Sequence, residues 1–333
     1  ATAYTELLTE MLRVLGPDHP HTLTTRNNLA AWLGQAGNPQ AAATAHSELL
    51  TEMLRVLGPD HPDTLTTRNN LAAWLGEAGN PQAAATAYAE LLTDRLRVLG
   101  PDHPDTLTTR SNLARWLGQA GNPQAATDAF RELLTEMLRV LGPDHPDTLI
   151  ARSNLAYMLG EAGNPQAAAT AYAELLTDQL QVLGPDHPHT LTTRGNLAAW
   201  LGQAGNPQAA TDAFRELLTD QLQVLGPDHP HTLTTRNNLA YMLGEAGNPQ
   251  AAATAYAELL TDQLQVLGPD HPDTLTTRNN LAHRTYESGD TTQAVKLRST
   301  LAREQERVLG PDHPDTQASH RILQRWRNEQ LNE

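Results

Sequence analysis

Apolar residues recur at helical spacing along this chain, and regularly placed breaks interrupt them. In residues 17–58, Leu23 and Leu29 fall on one half of a helical wheel, together with several alanines. Asn28 and Gln35 fall on the opposite half. No segment shows the period-two alternation of a half-buried strand. The pattern therefore predicts amphipathic helices only.

Two kinds of break divide residues 17–58 into two helices. Gly37-Asn38-Pro39 supplies a glycine that tolerates positive φ, then an N-cap side chain, then a proline suited to a first turn. The second break, residues 58–62, contains two prolines and cannot be helical throughout. We expect a first helix near residues 21–36 and a second helix near residues 39–57.

The same pattern returns at a fixed interval. The hexapeptide Leu-Gly-Pro-Asp-His-Pro occurs eight times, always 42 residues apart. Such a period indicates a solenoid in which each repeat packs on its neighbours. We divide the chain into a partial repeat at 1–16, which is a second helix only, seven repeats over 17–310, and a C-terminal capping helix within 311–333.

Composition and charge exclude several classes of protein. The 38 acidic and 23 basic residues give a net charge of −15, which disfavours a nucleic-acid partner. The chain has no cysteine, so disulfides and thiolate chemistry are excluded. No apolar run is long enough to cross a bilayer, and no leader-like segment opens the chain. We expect a cytoplasmic protein that does not bind membranes.

Each repeat contains residues that carry a family resemblance. They are the Leu29-Ala30 step, Gly37, Ala42 and one aromatic residue in the second helix, at Tyr88, Phe130, Tyr172, Phe214 and Tyr256. This pattern resembles the tetratricopeptide repeat, and the 42-residue length is similar to its kinesin-light-chain type. The resemblance implies an all-α fold: a right-handed α-solenoid of antiparallel helix pairs, with the first helices lining the concave wall of the superhelix. It says little about the partner.

On such a wall, the polar half of each first helix faces a ligand. It carries one asparagine per repeat, at Asn28, Asn70, Asn112, Asn154, Asn196, Asn238 and Asn280. An amide offers both donors and an acceptor, so a row of amides suits the backbone of an extended peptide. The alternative is that these amides bind helix backbone or water.

Differences between the near-identical repeats point to specificity. In the register of Ala31, larger side chains replace alanine at Arg115, Tyr157, Tyr241 and His283. We expect these four residues to select among partners, with neutral drift as the alternative, since the second helices vary as well.

The predicted groove also sets an electrostatic preference. It lacks the lysines and arginines of a carboxylate clamp, and the only lysine of the chain is Lys296. Four glutamates add negative charge near one rim, namely Glu77, Glu161, Glu245 and Glu287. A neutral or basic protein segment is therefore a better match than an acidic one.

Two further sets of residues invite structural interpretations. Arg26 and its equivalents fall in the apolar arc, where an unpaired guanidinium is costly. We expect each to bind either the loop aspartate, at Asp60 and its copies, or the second-helix acid in the register of Glu52.

The loop histidines, such as His19 and His21, lack the three or four converging ligands of a metal site. For them we predict roles at helix starts and no metal.

The sequence contains no motif of a phosphate-binding loop, a nucleophile elbow or a zinc-binding helix. We therefore expect a non-enzymatic binding scaffold without a cofactor, the C-terminal sensor or adaptor part of a larger protein, because Ala1 falls partway into a second helix. The abundance of arginine over lysine suggests a GC-rich bacterial genome. The alternative function is self-assembly into head-to-tail oligomers or a dimer through the N-terminal helix.

Overall fold

The computed structural model describes the backbone of residues 2–331 and the side chains from residue 5 to residue 331. These residues form sixteen α-helices and no strand. The helices belong to two compact units, Ala1–Asn164 and Pro165–Glu333. Within each unit, every helix packs against the next one along the chain.

The helices of the first unit are α1 Thr2–Val14, α2 Pro20–Gln35, α3 Pro39–Val56, α4 Pro62–Glu77, α5 Pro81–Val98, α6 Pro104–Gln119, α7 Pro123–Val140 and α8 Pro146–Glu161. Those of the second unit are α9 Pro165–Val182, α10 Pro188–Gln203, α11 Pro207–Val224, α12 Pro230–Glu245, α13 Pro249–Val266, α14 Pro272–Glu287, α15 Thr291–Leu309 and α16 Pro314–Leu331. Even-numbered helices are first helices of the repeats, and odd-numbered helices are second helices. The predicted two-helix repeat is confirmed.

The turn between α2 and α3 has the predicted chemistry, whereas at α5, α7, α11 and α13 the predicted N-cap is wrong, because the side chains of Asn80, Asn122, Asn206 and Asn248 form no cap hydrogen bond. Gly37 has a φ of 89°, which favours glycine, and Pro39 begins α3. The side chain of Asn38 caps this helix by accepting a hydrogen bond from the backbone N–H of Ala41 at 3.2 Å. The chain therefore reverses direction here with its exposed helix ends satisfied.

The connection between repeats uses its first histidine as an N-cap. The Nδ1 atom of His61 accepts a hydrogen bond from the backbone N–H of Asp63 at 3.2 Å, and His103 does the same for Asp105 at 3.1 Å. The helix-start role predicted for these residues is therefore confirmed. Across residues 2–331, no group of three or more His, Asp or Glu side chains could hold a metal ion.

Alanine and leucine layers form the core of each repeat. Ala72 on α4, Ala84 on α5 and Leu91 on α5 are fully buried, as are their equivalents in the other repeats. Methyl-sized side chains at the crossing of the two helices let the helix axes approach closely. The leucines then fill the space between repeats, so few aromatic residues are needed.

Consecutive first helices are held together by a side chain that lies on a glycine. The ring of Trp116 on α6 covers Gly76 on α4 so closely that a methyl group added at Gly76 would overlap it. Met158 covers Gly118 in the same way, and Met242 covers Gly202. Glycine is therefore required at this position of the first helix by the packing of the following repeat.

Trp32 lies on the apolar half of the α2 wheel, where a core position is expected, and this expectation is wrong. Trp32 exposes 48% of its surface, whereas Trp116, in the same register, exposes 3%. Trp116 packs on Gly76 of the preceding first helix, and among the described residues no first helix precedes α2. Burial at this register depends on the neighbouring repeat and not on the local sequence.

The arginine of the apolar arc binds the second-helix acid of its own repeat. Arg110 Nη1 lies 3.0 Å from Glu136 Oε1, and Arg194 Nη1 lies 2.5 Å from Asp220 Oδ2. The same pairing is seen at Arg26, Arg68, Arg236 and Arg278. Of the two predicted partners, the second-helix acid is therefore confirmed and the loop aspartate is wrong.

The glycine contact predicts opposite effects for two glycine-to-alanine substitutions. Gly76→Ala should destabilise the protein by roughly 1–3 kcal/mol because the new methyl group displaces the Trp116 ring. Gly195→Ala on α10 should stabilise it by up to about 1 kcal/mol, since its methyl group would lie an ordinary 3.6 Å from Leu217 and alanine favours helix. Urea unfolding of both variants measures the difference, and equal shifts would contradict the close packing.

The half-buried ion pair should contribute more than an exposed one. A double-mutant cycle with Arg110→Met and Glu136→Gln should give a coupling energy of about 1–2 kcal/mol. The matched exposed pair on α7, Arg131 and Asp128, should give about 0.5 kcal/mol or less. Similar coupling energies for the two pairs, measured by urea unfolding, would show that burial does not strengthen the first.

Candidate functional site

The predicted asparagines lie together on one side of the first helices. We call this side the amide face and define it by the registers of Thr24, Asn28, Ala31 and Gln35. Thr24 and Gln35 are exposed, as is Asn28, whereas the six equivalent asparagines are half-buried. The first unit presents this face on α2, α4, α6 and α8, and the second on α10, α12 and α14. On α16, Ile322 replaces the asparagine.

Three of the asparagines bind neighbouring side chains. Asn70 Nδ2 donates a hydrogen bond to Asn27 Oδ1 of the preceding repeat at 3.2 Å. Asn196 and Asn280 each donate to the hydroxyl of a second-helix tyrosine at 3.4 Å, namely Tyr172 and Tyr256. At these positions the amide has a structural partner, although it remains partly accessible.

Two asparagines lack a tyrosine because phenylalanine replaces it. Phe130 and Phe214 stand where the preceding second helix would carry the hydroxyl for Asn154 and Asn238. Asn154 forms no side-chain hydrogen bond with another described residue, and Asn238 only accepts one, from Asn237 at 3.4 Å. The Nδ2 groups of Asn154 and Asn238 therefore donate no hydrogen bond to another described residue, and we call these two amides open.

The exchange of tyrosine for phenylalanine is the sequence signal at these two positions. Asn112 likewise forms no side-chain hydrogen bond with another described residue, although Tyr88 precedes it. The Tyr88 hydroxyl donates instead to the backbone oxygen of Asn69 at 3.3 Å.

The four predicted specificity residues are exposed beside the amide face. Arg115 Nη2 lies 3.1 Å from Glu77 Oε1, and His283 Nε2 lies 3.2 Å from Glu287 Oε1. Burial, and then the nearby Glu161, raises the pKa of Tyr157.

Tyr241 differs from the other three in contacting a cation. The guanidinium carbon of Arg284 lies 5.4 Å from the centre of its ring. Each specificity candidate therefore has a charged residue beside it, and their role in selecting partners stays a prediction.

The rim glutamates carry less free negative charge than the sequence suggests. Arg115 pairs with Glu77, and Arg284 lies 2.7 Å from both Glu245 and Glu287. Arg284 occupies the register of Trp116 and covers Gly244, so one side chain both packs on the preceding repeat and neutralises the rim. The predicted preference for a neutral or basic protein segment must therefore have another source than these glutamates.

Loop aspartates provide such a source in the second unit. In most repeats an arginine of the following second helix binds the loop aspartate: Arg97 Nη1 lies 2.8 Å from Asp60, and Arg307 Nη1 lies 2.9 Å from Asp270. Gln265 replaces this arginine opposite Asp228, which has no ion-pair partner among the residues described. Its carboxylate charge is therefore uncompensated.

Asp228 lines a cavity of about 250 Å³ between α12, α13 and α14. Asn237 and Thr234 of the first helix also line this cavity, together with Gln263 of the second helix. The Oε1 atom of Gln263 is buried without a hydrogen-bond donor. Hydrogen-bond acceptors thus predominate around the cavity, and this arrangement suits a donor group, neutral or cationic.

The described helices therefore form a repeat protein of the α-solenoid class, built from antiparallel pairs that present one polar face. The sequence profile of the tetratricopeptide repeat matches seven consecutive segments, 22–63, 64–105, 106–147, 148–189, 190–231, 232–273 and 274–315. The chain belongs to the tetratricopeptide repeat family.

Solved structures show the same fold. A Podosopora anserina protein of kinesin-light-chain type, with nearly identical repeats, is 24% identical; the match covers 62% of this chain and 97% of that one, with a TM-score of 0.57. A signal-transduction ATPase with a tetratricopeptide repeat sensor from Pyrococcus horikoshii is 13% identical over 92% of this chain and 44% of that one, with a TM-score of 0.66. The quorum sensor NprR of B. thuringiensis is 15% identical over 97% and 92%, with a TM-score of 0.55.

Two further findings concern curated proteins and the length of the helices. A search of curated proteins finds none that matches the chain. No helix within residues 2–331 is both long enough and apolar enough to span a bilayer.

The buried tyrosines should make the protein sensitive to alkali. Burial raises the pKa of both Tyr88 and Tyr256 to about 12. An unfolded tyrosine ionises near pH 10. The folded state thus holds the proton more tightly, and the free energy of unfolding should fall between about pH 10 and pH 12.

A phenylalanine double variant tests this pH dependence, since phenylalanine occupies the same register in other repeats. Tyr88→Phe/Tyr256→Phe should lose less stability than the wild type over that range, by at most about 1.4 kcal/mol per tyrosine for each pH unit. The exposed Tyr241→Phe serves as control. Parallel curves of urea midpoint against pH for wild type and double variant would disprove the assignment.

Proposed function

We propose that the chain is a non-enzymatic binding scaffold that holds an extended peptide segment against the amide face. The observation that carries the proposal is the set of open amides at Asn154 and Asn238, half-buried on an otherwise accessible helix side. Mid-helix asparagine lowers helix propensity, and these two gain no tyrosine bond in return. Peptide backbone supplies the acceptor that each lacks.

The preference for a neutral or basic segment rests on the loop carboxylates. Asp228 has glutamine in place of its arginine, and it lines the same cavity as Thr234 of the amide face. A lysine or arginine side chain of the peptide would restore the ion pair that Gln265 abolishes. The net charge of −15 favours the same kind of partner over a longer distance.

A sensor or adaptor role agrees with the relatives of similar fold. The Pyrococcus horikoshii protein carries its repeats as a sensor, and NprR is a quorum sensor. We extend this role to the present chain on the strength of the open amides and not on overall identity. Arg115, Tyr157, Tyr241 and His283 would then contact the side chains of the bound segment.

Self-assembly, the second candidate, finds weaker support. Exposed Trp32 and Val14 would suit an apolar contact at the N-terminal helices. Head-to-tail stacking in the native register would place Trp32 on Asn328 of α16, where most repeats have a glycine. The glycine contact that joins most repeats would therefore be absent between molecules.

Peptide binding should depend on the open amides more than on the tyrosine-bonded ones. On an array of diverse peptides, Asn154→Ala/Asn238→Ala should weaken binding about tenfold, because two hydrogen bonds of roughly 0.5–1.5 kcal/mol each are lost. The matched variant Asn196→Ala/Asn280→Ala should have a smaller effect. A wild type that binds no peptide, or equal losses in both variants, would refute the proposal.

The charge preference has its own control. Gln265→Arg should provide Asp228 with an ion-pair partner and weaken binding of lysine-containing peptides, while leaving their lysine-to-norleucine analogues unaffected. Unchanged preference for the lysine peptides would remove Asp228 from the site.

A further inference from the structure

Arg298 on α15 is a buried cation without a carboxylate partner. It exposes 1% of its surface and occupies the register of the tyrosines Tyr88, Tyr172 and Tyr256. Its Nη1 atom donates a hydrogen bond to Asn279, and its guanidinium carbon lies 5.0 Å from the ring centre of Trp326. Its Nε atom is buried and has no hydrogen-bond partner. No described carboxylate forms an ion pair with it.

Such a charge is costly unless an anion compensates it. Arg95 on α5 is also buried, with 5% of its surface exposed. Unlike Arg298, it donates two hydrogen bonds from its Nη1 atom, to the backbone oxygen of Asp105 at 2.8 Å and to the Thr109 hydroxyl at 2.7 Å. Arg278, in the same helix pair as Arg298, is held by Glu304. Burial lowers the pKa of Arg298 to about 10.

Arg298 lines a cavity of about 570 Å³ between α14, α15 and α16. The equivalent cavity one repeat earlier measures about 250 Å³ and lacks a cationic lining residue. Smaller side chains account for part of the enlargement, since Ala318 and Ser319 stand where that repeat has Thr276 and Thr277. Its size falls within the range of small-ligand sites.

The walls of the cavity define the rest of a ligand. Leu275, Val308 and Ile322 supply apolar surface. Gln305 is buried, and its Oε1 atom has no hydrogen-bond donor. The cavity thus combines one unsatisfied cation, one unsatisfied acceptor and an apolar wall.

We propose that this cavity binds a carboxylate carried on a small branched apolar group. The carboxylate would accept hydrogen bonds from the unpartnered Nε edge of Arg298, a planar geometry that suits two oxygens. The same chemistry could come from a free organic acid or from the C-terminal residue of a peptide. In the second case an N–H of the ligand would donate to Gln305. The cavity borders the amide face, since Thr276 and Ile322 occupy registers of that face, but its cation comes from a second helix.

Two aspartates near the cavity do not compensate Arg298. Asp270 is bound by Arg307, and Asp315 lies 3.8 Å from Nδ1 of His313. Both carboxylates are exposed to water, which screens their charge. A carboxylate inside the cavity would interact with the guanidinium at a lower effective dielectric constant than these two do.

Calorimetric titration of the full chain with three probes tests the proposal. The probes are 4-methylpentanoate, which represents a free acid, N-acetyl-leucine, which represents a C-terminal residue, and N-acetyl-leucinamide, which lacks the carboxylate. The wild type should bind at least one of the acids and should bind the amide at least tenfold more weakly. Tighter binding of N-acetyl-leucine than of 4-methylpentanoate would assign the site to peptide ends, and the reverse to free acids.

Arg298→Tyr provides the decisive variant, because tyrosine is the residue of this register in three other repeats and should fold. It should weaken acid binding by about 10- to 100-fold, as expected for loss of a charge-assisted hydrogen bond. Arg321→Gln, which removes an exposed charge from α16, should bind the acids as the wild type does.

Three results would overturn the proposal: no binding of either acid at millimolar concentration, equal binding of the amide, or equal binding by Arg298→Tyr. The Asn154→Ala/Asn238→Ala variant should bind the acids normally. Failure of the peptide face and failure of this cavity are therefore distinguishable.

Discussion

The contact of one large side chain with a glycine of the preceding repeat sets the spacing of the first helices. Trp116 on Gly76 and Met158 on Gly118 fill the space between consecutive first helices. Tyr172 and Tyr256 on the second helices then lie within reach of the next asparagine, and where phenylalanine occupies their register the amide has no tyrosine partner. The hydrogen bonding of the amide face therefore depends on how neighbouring repeats pack.

Local features of the chain were predictable from its sequence, and features that depend on the next repeat were not. The turn at Gly37 and the histidine cap at His61 involve residues adjacent in sequence, and α2 and α3 lie within one residue of their expected bounds. The burial of Trp116 against Gly76, and of Arg298 against Asn279 and Trp326, depends on residues about 20 to 40 positions away. The helical wheel has no information on such neighbours.

The array varies its chemistry by changing side chains on a nearly constant backbone. Around Asp228 the replacement of one arginine by Gln265 leaves an unpaired anion and a row of acceptors. One repeat later the same three-helix arrangement encloses Arg298, a cation without an ion-pair partner. The two proposed sites thus carry charges of opposite sign, although their walls come from equivalent positions. The open amides of the neighbouring face add hydrogen-bonding capacity without net charge.

Tyr286 interrupts the series of glycines. It occupies the glycine register on α14, and its ring lies parallel to that of Trp326 on α16, with centres 4.4 Å apart. Asn328 then occupies the same register on α16. A whole repeat inserted before α14 would therefore bring a glycine that meets an indole, a thioether or the Arg284 guanidinium. A first helix packed on α16 in the same register would meet Asn328 instead, so the described array accepts further copies most readily at its internal junctions.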